Sequence, residues 1–555
     1  MTGFQYAQGA VLGIANWMAL VCATIAVVLA SLNYIHMLQL ESYQGKMYLK
    51  WVGKRFFKEV VPFIMTGVVA ALLRVCFAFF ESNNALVANI CMFASDVVYV
   101  AMLLFMALFS KKQAAKKPLV YTGRVIRLII VEAVIVFFFT AAFFYSYTPL
   151  EGHRFPWFQY LLPIVLRYLP GATVPLFIML AYLITWPVEQ LIKRGYYNDA
   201  RSRLRGREGL IKIGITGSYG KTSTKYALGA ILSQKYNVLF TPGSYNTTMG
   251  VTRVIREQLT CEHEVFIAEM GARYKGDIAE LCDLVEPQYG IITSIGKQHL
   301  ETFGSLEWVI RTKSELAEAL PGTGVLVLNG DNQYCRNINN ASHADTVFFG
   351  EGEDSFSRIS DISVAPQGSS FTLTLDGERI ECTTKLLGRH NMMNIAAAAA
   401  LAKKLGLTGS EIAAGIAKIE PVEHRLQLIS GANGSMVIDD AFNANPEGAR
   451  EAMEVLKLFP GKKIVVTPGM VELGAEEDAL NREFGREMAG AADVAILIGK
   501  SHVDPIREGL TEAGFDADSI VGADTLDDAA IKLQSYTTPG CVILFLNDLP
   551  DNYNE

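Results

Sequence analysis

The chain has 555 residues, 51% of them hydrophobic and 19% charged, with a formal net charge of −7 at pH 7. That length suits about three or four domains, and the acidic balance excludes the broad basic surface of a nucleic-acid-binding protein. Eight cysteines without a Cys-x-x-Cys pair exclude a disulfide framework or zinc finger and fit reduced thiols in a cytoplasmic setting.

The apolar residues are gathered at the front. Residues 10–34, 60–80, 85–109, 128–145 and 173–192 are apolar runs, each near the roughly 20 residues that span a bilayer. The first has no basic leader and is too long for a cleavable signal. Residues 1–205 are therefore expected to form a helical membrane domain of about five spans. Basic residues follow the first run (Lys46, Lys50, Lys54, Arg55, Lys58), the third (Lys111, Lys112, Lys116, Lys117, Arg124, Arg127) and the fifth (Lys193, Arg194, Arg201, Arg203, Arg205, Arg207). This places the N-terminus outside and everything after residue 205 in the cytoplasm, in a multi-pass protein of the cell membrane. The same basic edge suits anionic head groups, making membrane lipid an expected partner. Residues 157–168, apolar but broken by Pro163 and Arg167, read as an interfacial or re-entrant piece; were they a span, the N-terminus would have to lie inside to keep the rest cytoplasmic. Arg74 and Asp96 fall inside spans, where they either mark a functional path or pair with each other to hold adjacent helices.

From Gly209 onward, strand-like runs at 210–215, 265–268, 290–294, 324–328, 436–438, 463–466, 494–498 and 542–546 alternate with helical stretches such as 395–405 and 447–458. Alternation of this kind predicts parallel α/β sheets, with ligands at the C-terminal ends of the strands. Residues 341–381 read as a short β-rich insertion.

The polar clusters lie at those strand ends. The first strand runs into Gly217-Ser218-Tyr219-Gly220-Lys221-Thr222-Ser223. A strand, a glycine turn and a helix point backbone N–H groups at phosphate; Lys221 would reach the terminal phosphates and Thr222 a magnesium ion. Ile215 stands where the strict motif has its first glycine, and a tight strand-to-helix connection is the plain alternative. Glu269, at the next strand tip, suits magnesium or a helix N-cap. His299 alone reads as structural, and Lys313 alone as a solvated helix lysine. Asn391 and Asn394 open an alanine-rich helix, as a capped start would. Arg425 and Asp440 flank the 436–438 strand, and the Asn-rich stretch up to Pro446 suits a turn.

In this order, segments 216–224, 245–250, 269–278, 293–313, 388–394, 423–426, 439–446 and 467–474 resemble the Mur ligase family, nearest to the type that adds D-alanyl-D-alanine to a UDP-muramoyl tripeptide. The resemblance implies a central P-loop-type ATPase domain over 206–425 and a C-terminal Rossmann-like domain over 426–555. It implies an ATP-dependent ligase of peptidoglycan precursor synthesis, forming an amide through an acyl phosphate, with ATP and two magnesium ions. Gly217, Ser218, Gly220, Lys221, Thr222 and Ser223 would hold the phosphates. Thr222 and Glu269 would bind the first magnesium, His299 and a carbamate on Lys313 the second. Asn246 would lie near the reacting centre, Asn391 and Asn394 along adenine and ribose, and Arg425 and Asp440 over the nucleotide at the domain seam. The partners implied are a cell-wall precursor and a small amine such as D-alanyl-D-alanine.

Two departures bear on substrate. The apolar region stands where the family has its UDP-sugar-binding domain, which keeps a lipid-linked or other non-UDP donor open. The last strand ends Leu546-Asn547-Asp548, where Lys-Gly-Ser is usual. From other classes, an ATP-driven transporter or flippase would use a phosphate loop together with Arg74 and Asp96, and a scaffold with a dead ATPase would need no metal ligands.

Overall fold

The computed structural model describes residues 3–80, 85–109, 118–145, 158–296, 300–338, 342–431, 434–442, 444–471, 473–499 and 502–547. The chain divides into two compact units, Met1–Ile192 and Lys193–Pro550.

The first unit is helical: α1 (Gly3–Leu40), α2 (Gly45–Lys54), α3 (Phe56–Glu59), α4 (Val61–Phe80), α5 (Ala85–Phe109), α6 (Gly123–Tyr145), α7 (Phe158–Ala172) and the start of α8 (Val174–Arg205). Among the described residues three helical stretches are long and apolar enough to cross a membrane: Trp17–Leu40, Gly123–Ala142 and Val174–Arg205. Val61–Phe77 and Phe93–Leu108 are shorter apolar helices, so three of the five expected runs meet the length and composition of a span. The segment expected to be interfacial is helical over its described part, α7, and supplies Arg167. That guanidinium donates to Asp96 on α5 through Nε at 2.8 Å, with the Tyr168 hydroxyl also on Asp96 at 3.2 Å. Asp96 is thus held by Arg167 and Tyr168; a pairing with Arg74 was one of the alternatives the sequence left open.

The second unit holds two sheets. The first takes β1 (Ile211–Thr216), α9 (Lys221–Leu232), β2 (Val238–Phe240), α10 (Thr248–Gln258), β3 (Val265–Glu269), α11 (Asp277–Val285), β4 (Tyr289–Ile292), α12 (Leu300–Phe303), α13 (Leu306–Ala319), β5 (Val325–Asn329), α14 (Gln333–Ile338) and β6 (Asp345–Gly350). It continues with β7 (Ser357–Ala365), β8 (Gly368–Leu375), β9 (Glu378–Thr384), α15 (Arg389–Lys404) and α16 (Gly409–Ala417). Its strand order is β2-β3-β1-β4-β5-β6-β7-β8-β9, parallel as far as β7 and antiparallel across β7, β8 and β9. The expected insertion is therefore an extension of this sheet. Nearly continuous apolar strands such as Val265–Ala268 are buried because helices cover both faces. One face packs on α9, α15 and α16 and the other on α10, α11 and α13.

The tail of α8 belongs to this unit. Ala200 and Leu204 are buried in its core, Arg201 pairs with Asp283 at 2.5 Å, and the Arg205 Nε donates to Glu286 at 2.7 Å. These two arginines, expected at a lipid-facing edge, are engaged by carboxylates at the end of α11.

The second sheet takes β10 (Gln427–Ser430), β11 (Met436–Asp440), α17 (Pro446–Lys457), β12 (Lys463–Thr467), α18 (Glu477–Ala489), β13 (Val494–Ile498), α19 (Asp504–Glu512), β14 (Ile520–Ala523), α20 (Leu526–Gln534) and β15 (Val542–Leu546). Its order is β10-β11-β15-β12-β13-β14, with only β10 antiparallel among the described strands. Asn445 caps α17 by accepting from the Gly448 N–H, with Pro446 in the first turn, where its missing N–H costs nothing.

Candidate active site

Strand register builds the site. Ile215 lies opposite Glu269 of β3, and Thr216 opposite Ile292 of β4, so the loop leaving β1 emerges between two strand tips. Its two glycines are required by contact as well as conformation. Gly217 has φ +149 and a Cβ there would sit 2.0 Å from the Thr293 hydroxyl; Gly220 has φ +78 and a Cβ would sit 2.3 Å from Asn394 Oδ1. The loop is tied to the end of β4 by the Ser218 N–H on Ser294 O at 2.7 Å and by the Thr293 hydroxyl on the Tyr219 carbonyl.

Helix α9 then starts at Lys221 with Gly220 as a left-handed N-cap and no side-chain cap. Its first N–H groups are left for an anion, with Thr222 and the half-buried Ser223 in the same turn. Lys221 folds back on the loop, donating to Gly217 O at 2.7 Å and Ser218 O at 3.1 Å. Burial pushes its ammonium down to about 8, against the pull of Glu269 and with a push from Arg425.

Glu269 is the hub. It is 1% exposed, and its carboxylate accepts from Thr222 Oγ1 at 3.2 Å, Asn246 Nδ2 at 3.1 Å and Lys225 Nζ at 2.8 Å. Burial alone would raise its pKa, but Lys225 and Lys221 outweigh that and hold the carboxyl below its ordinary value. Lys225 is the residue that sequence reasoning missed. The available signal was its place one turn after Lys221, on the same helix face.

Lys313, on α13, is buried. Burial, then the Lys221 charge, pull its amine far below an ordinary lysine, against Asp277, Glu315 and Glu269. A neutral amine is the form that takes up carbon dioxide as a carbamate. His299, expected beside it, lies outside the described residues.

Asn391 and Asn394, at the start of α15, are both buried. Asn394 Oδ1 accepts from the Thr224 hydroxyl at 3.2 Å, and Asn391 Nδ2 donates to Leu387 O at 2.8 Å. Their contacts are with the protein's own chain beneath the phosphate loop.

Across the seam, Arg425 lies with its guanidinium 4.5 Å from the Phe442 ring centroid. It is flanked by His424 and Leu426, both at positive φ (+59 and +46), a conformation that L side chains hold only under constraint. That constraint includes Asp440, whose Oδ1 accepts from the Leu426 N–H at 3.3 Å. Burial raises the Asp440 carboxyl to about 6, partly offset by Arg425. Beyond β15, Asn547 stands at the expected Lys-Gly-Ser position with φ +68. Its N–H donates to Asp440 O at 3.2 Å, its Oδ1 accepts from the Ala444 N–H at 3.1 Å and its Nδ2 donates to Gly469 O at 2.5 Å.

A hard divalent cation fits the Thr222 hydroxyl and the ionised Glu269, which are oxygen donors beside an uncapped helix start. Among the described residues no three His, Cys, Asp or Glu side chains gather as a metal cage. This donor set therefore suits magnesium, which is held through one or two carboxylates and completed by substrate phosphates and water.

Residues 215–402 match the Mur ligase middle domain, and residues 424–546 the Mur ligase, glutamate ligase domain. The UDP-N-acetylmuramoyl-tripeptide--D-alanyl-D-alanine ligase of Escherichia coli (strain K12) is 34% identical over 313 residues, covering 56% of this chain and 69% of that protein. The protein of the same name from Bacillus subtilis (strain 168) is 33% identical over 277 residues, with 49% and 59% covered. Among solved structures, MurF from Acinetobacter baumannii superposes with a TM-score of 0.59 at 28% identity, over 65% of this chain and 78% of that one. MurF ligase from Thermotoga maritima in complex with ADP gives 0.58 at 26%, over 64% and 80%.

Proposed function

The chain belongs to the Mur ligase family, and from that premise we propose that it is an ATP-dependent ligase joining D-alanyl-D-alanine to a muramoyl tripeptide in peptidoglycan precursor synthesis. The observation that carries this is the convergence of the phosphate loop, Glu269, Lys313 and Arg425 at one seam of two Mur-type domains.

In this reading the loop amides and Lys221 hold the β and γ phosphates of ATP. Two magnesium ions, one on Thr222 and Glu269 and one on His299 and a carbamylated Lys313, would neutralise charge on the transferring phosphoryl group. The donor carboxylate attacks the γ-phosphorus, giving an acyl phosphate and ADP; the amine then attacks the acyl carbon and phosphate leaves. Both steps concentrate negative charge on a few oxygens. Lys221 and Arg425 bring positive charge to that side of the site, and donors aimed at the developing charge stabilise it. Asn246, tied to Glu269, borders the reacting centre, while Asn391 and Asn394 support the nucleotide side from beneath.

We place the catalytic domains in the cytoplasm on a membrane-embedded helical unit, on the strength of the apolar helices and the basic segments between them. A lipid-linked donor is the second reading, because the apolar region precedes the matched domains directly. Phosphate release by detergent-purified protein with ATP and magnesium tests both. Release requiring UDP-muramoyl tripeptide and D-alanyl-D-alanine supports the first reading. Release only with a lipid-linked donor supports the second, and release without any amine acceptor would sink both.

A further inference from the structure

Glu269 uses its two oxygens differently. Oε1 receives Thr222 Oγ1 at 3.2 Å and Asn246 Nδ2 at 3.1 Å. Oε2 receives only the Lys225 ammonium, at 2.8 Å, among the contacts of the described residues. Lys225 is 0% exposed and Glu269 1%, so this is a fully desolvated ion pair. The ammonium is held from a second side by Gly243 O at 2.6 Å, in the loop that leads to Asn246. Swinging it away would strand a buried charge, which costs several-fold more than an exposed pair is worth.

We propose that Lys225 is a positioning residue that restricts Glu269 to one-oxygen coordination of a divalent cation, and that this makes the site select magnesium over calcium. The inference rests on the magnesium–ATP reading of the site. Magnesium requires near-octahedral geometry with short bonds and takes one oxygen per carboxylate, whereas calcium accepts more ligands and often chelates both oxygens. The ammonium on Oε2 is buried and held from a second side, so a dication there would meet a fixed positive charge and two-oxygen chelation is disfavoured, whereas Oε1 carries, among the described residues, only the neutral Thr222 and Asn246 donors, which can turn away.

The test is calorimetric binding of a non-hydrolysable ATP analogue to the full-length detergent-purified protein, in magnesium and separately in calcium. Wild type is expected to bind more tightly with magnesium. Lys225→Met is expected to lower the magnesium-to-calcium affinity ratio by about tenfold, the scale of lost outer-shell support at metal sites. A wild-type protein that binds the analogue with neither ion overturns the magnesium–ATP reading itself. Wild-type binding with a ratio unchanged in folded Lys225→Met overturns the role of Lys225, and so does an equal loss of both affinities, the mark of a merely structural lysine. Should Lys225→Met fail to fold, Lys225→Gln keeps a donor for Gly243 O and reads the same ratio against the same outcomes.

Discussion

Asn394 Oδ1 occupies the space a Cβ on Gly220 would need, 2.3 Å away, and the same oxygen accepts the Thr224 hydroxyl at 3.2 Å. A residue from α15 thereby sets the left-handed turn that opens α9. Gly220→Ala should cost about 1–2 kcal/mol from the positive φ alone, plus the displacement of Asn394. Nucleotide binding should fall by more than tenfold while the sheet persists. An alanine variant with wild-type affinity by calorimetry would show that the loop does not need this contact.

Lys221 is held down to about 8, against 10.5 for an ordinary lysine. The fold disfavours its charged form, so the penalty is complete below about pH 8 and is relieved as pH rises toward 10.5. Lys221→Met should abolish turnover yet raise stability at pH 7 by about 1–3 kcal/mol, once solvent screening is allowed for. Denaturant titration at pH 7 checks this; a less stable variant contradicts it.

Asp440 has the opposite sign. Its folded carboxyl is raised to about 6 from 3.8, so the native state binds the proton more tightly. Its contribution to stability is complete below about pH 3.8 and is lost as pH rises through about 6. Protonation should nevertheless weaken its hold on Arg425. The rate should therefore show an acid limb near pH 6 with no unfolding there, and Asp440→Asn should be slower and lack that limb. A limb that persists in the variant assigns it to another group.

Asn547 joins the ends of three strands, reaching Asp440, Ala444 and Gly469. Asn547→Gly keeps the positive φ but strands two buried backbone groups, which costs about 1–3 kcal/mol each when unsatisfied. Denaturant titration should show that loss; an unchanged midpoint would mean that the strand ends do not depend on these two bonds.

In the helical unit, Asp96→Asn should destabilise strongly, by about 3–5 kcal/mol if it leaves Arg167 buried without its charge partner. Asp96→Leu combined with Arg167→Leu should recover much of that loss. Thermal melts in detergent decide; a double variant no better than Asp96→Asn would give the pair a role beyond packing.

The apolar runs, the strand–helix alternation and the phosphate loop were legible because each is written in local periodicity or in one contiguous turn. The central sheet and most strand positions followed from them. The burial of Lys225 was not legible: a lysine at the fifth position of a helix carries no mark of burial until Glu269 arrives from another strand. Nor was the partner of Asp96, since Arg167 lies on a segment whose short, proline-broken pattern concealed a helix. Arg201 and Arg205 were misjudged for a related reason. A basic run looks the same whether it faces lipid or the carboxylates of Asp283 and Glu286.

The sequence by itself determined the family and the strand–helix alternation of the second unit, because apolar periodicity and glycine-rich turns depend on neighbours along the chain. Only the tertiary structure decided the electrostatics. The shifts at Lys221, Lys313 and Asp440, and the ionised state of Glu269, arise from burial and from charges brought together across strands far apart in sequence. Desolvation and Coulomb interaction depend on distance in space, which no spacing along the chain records.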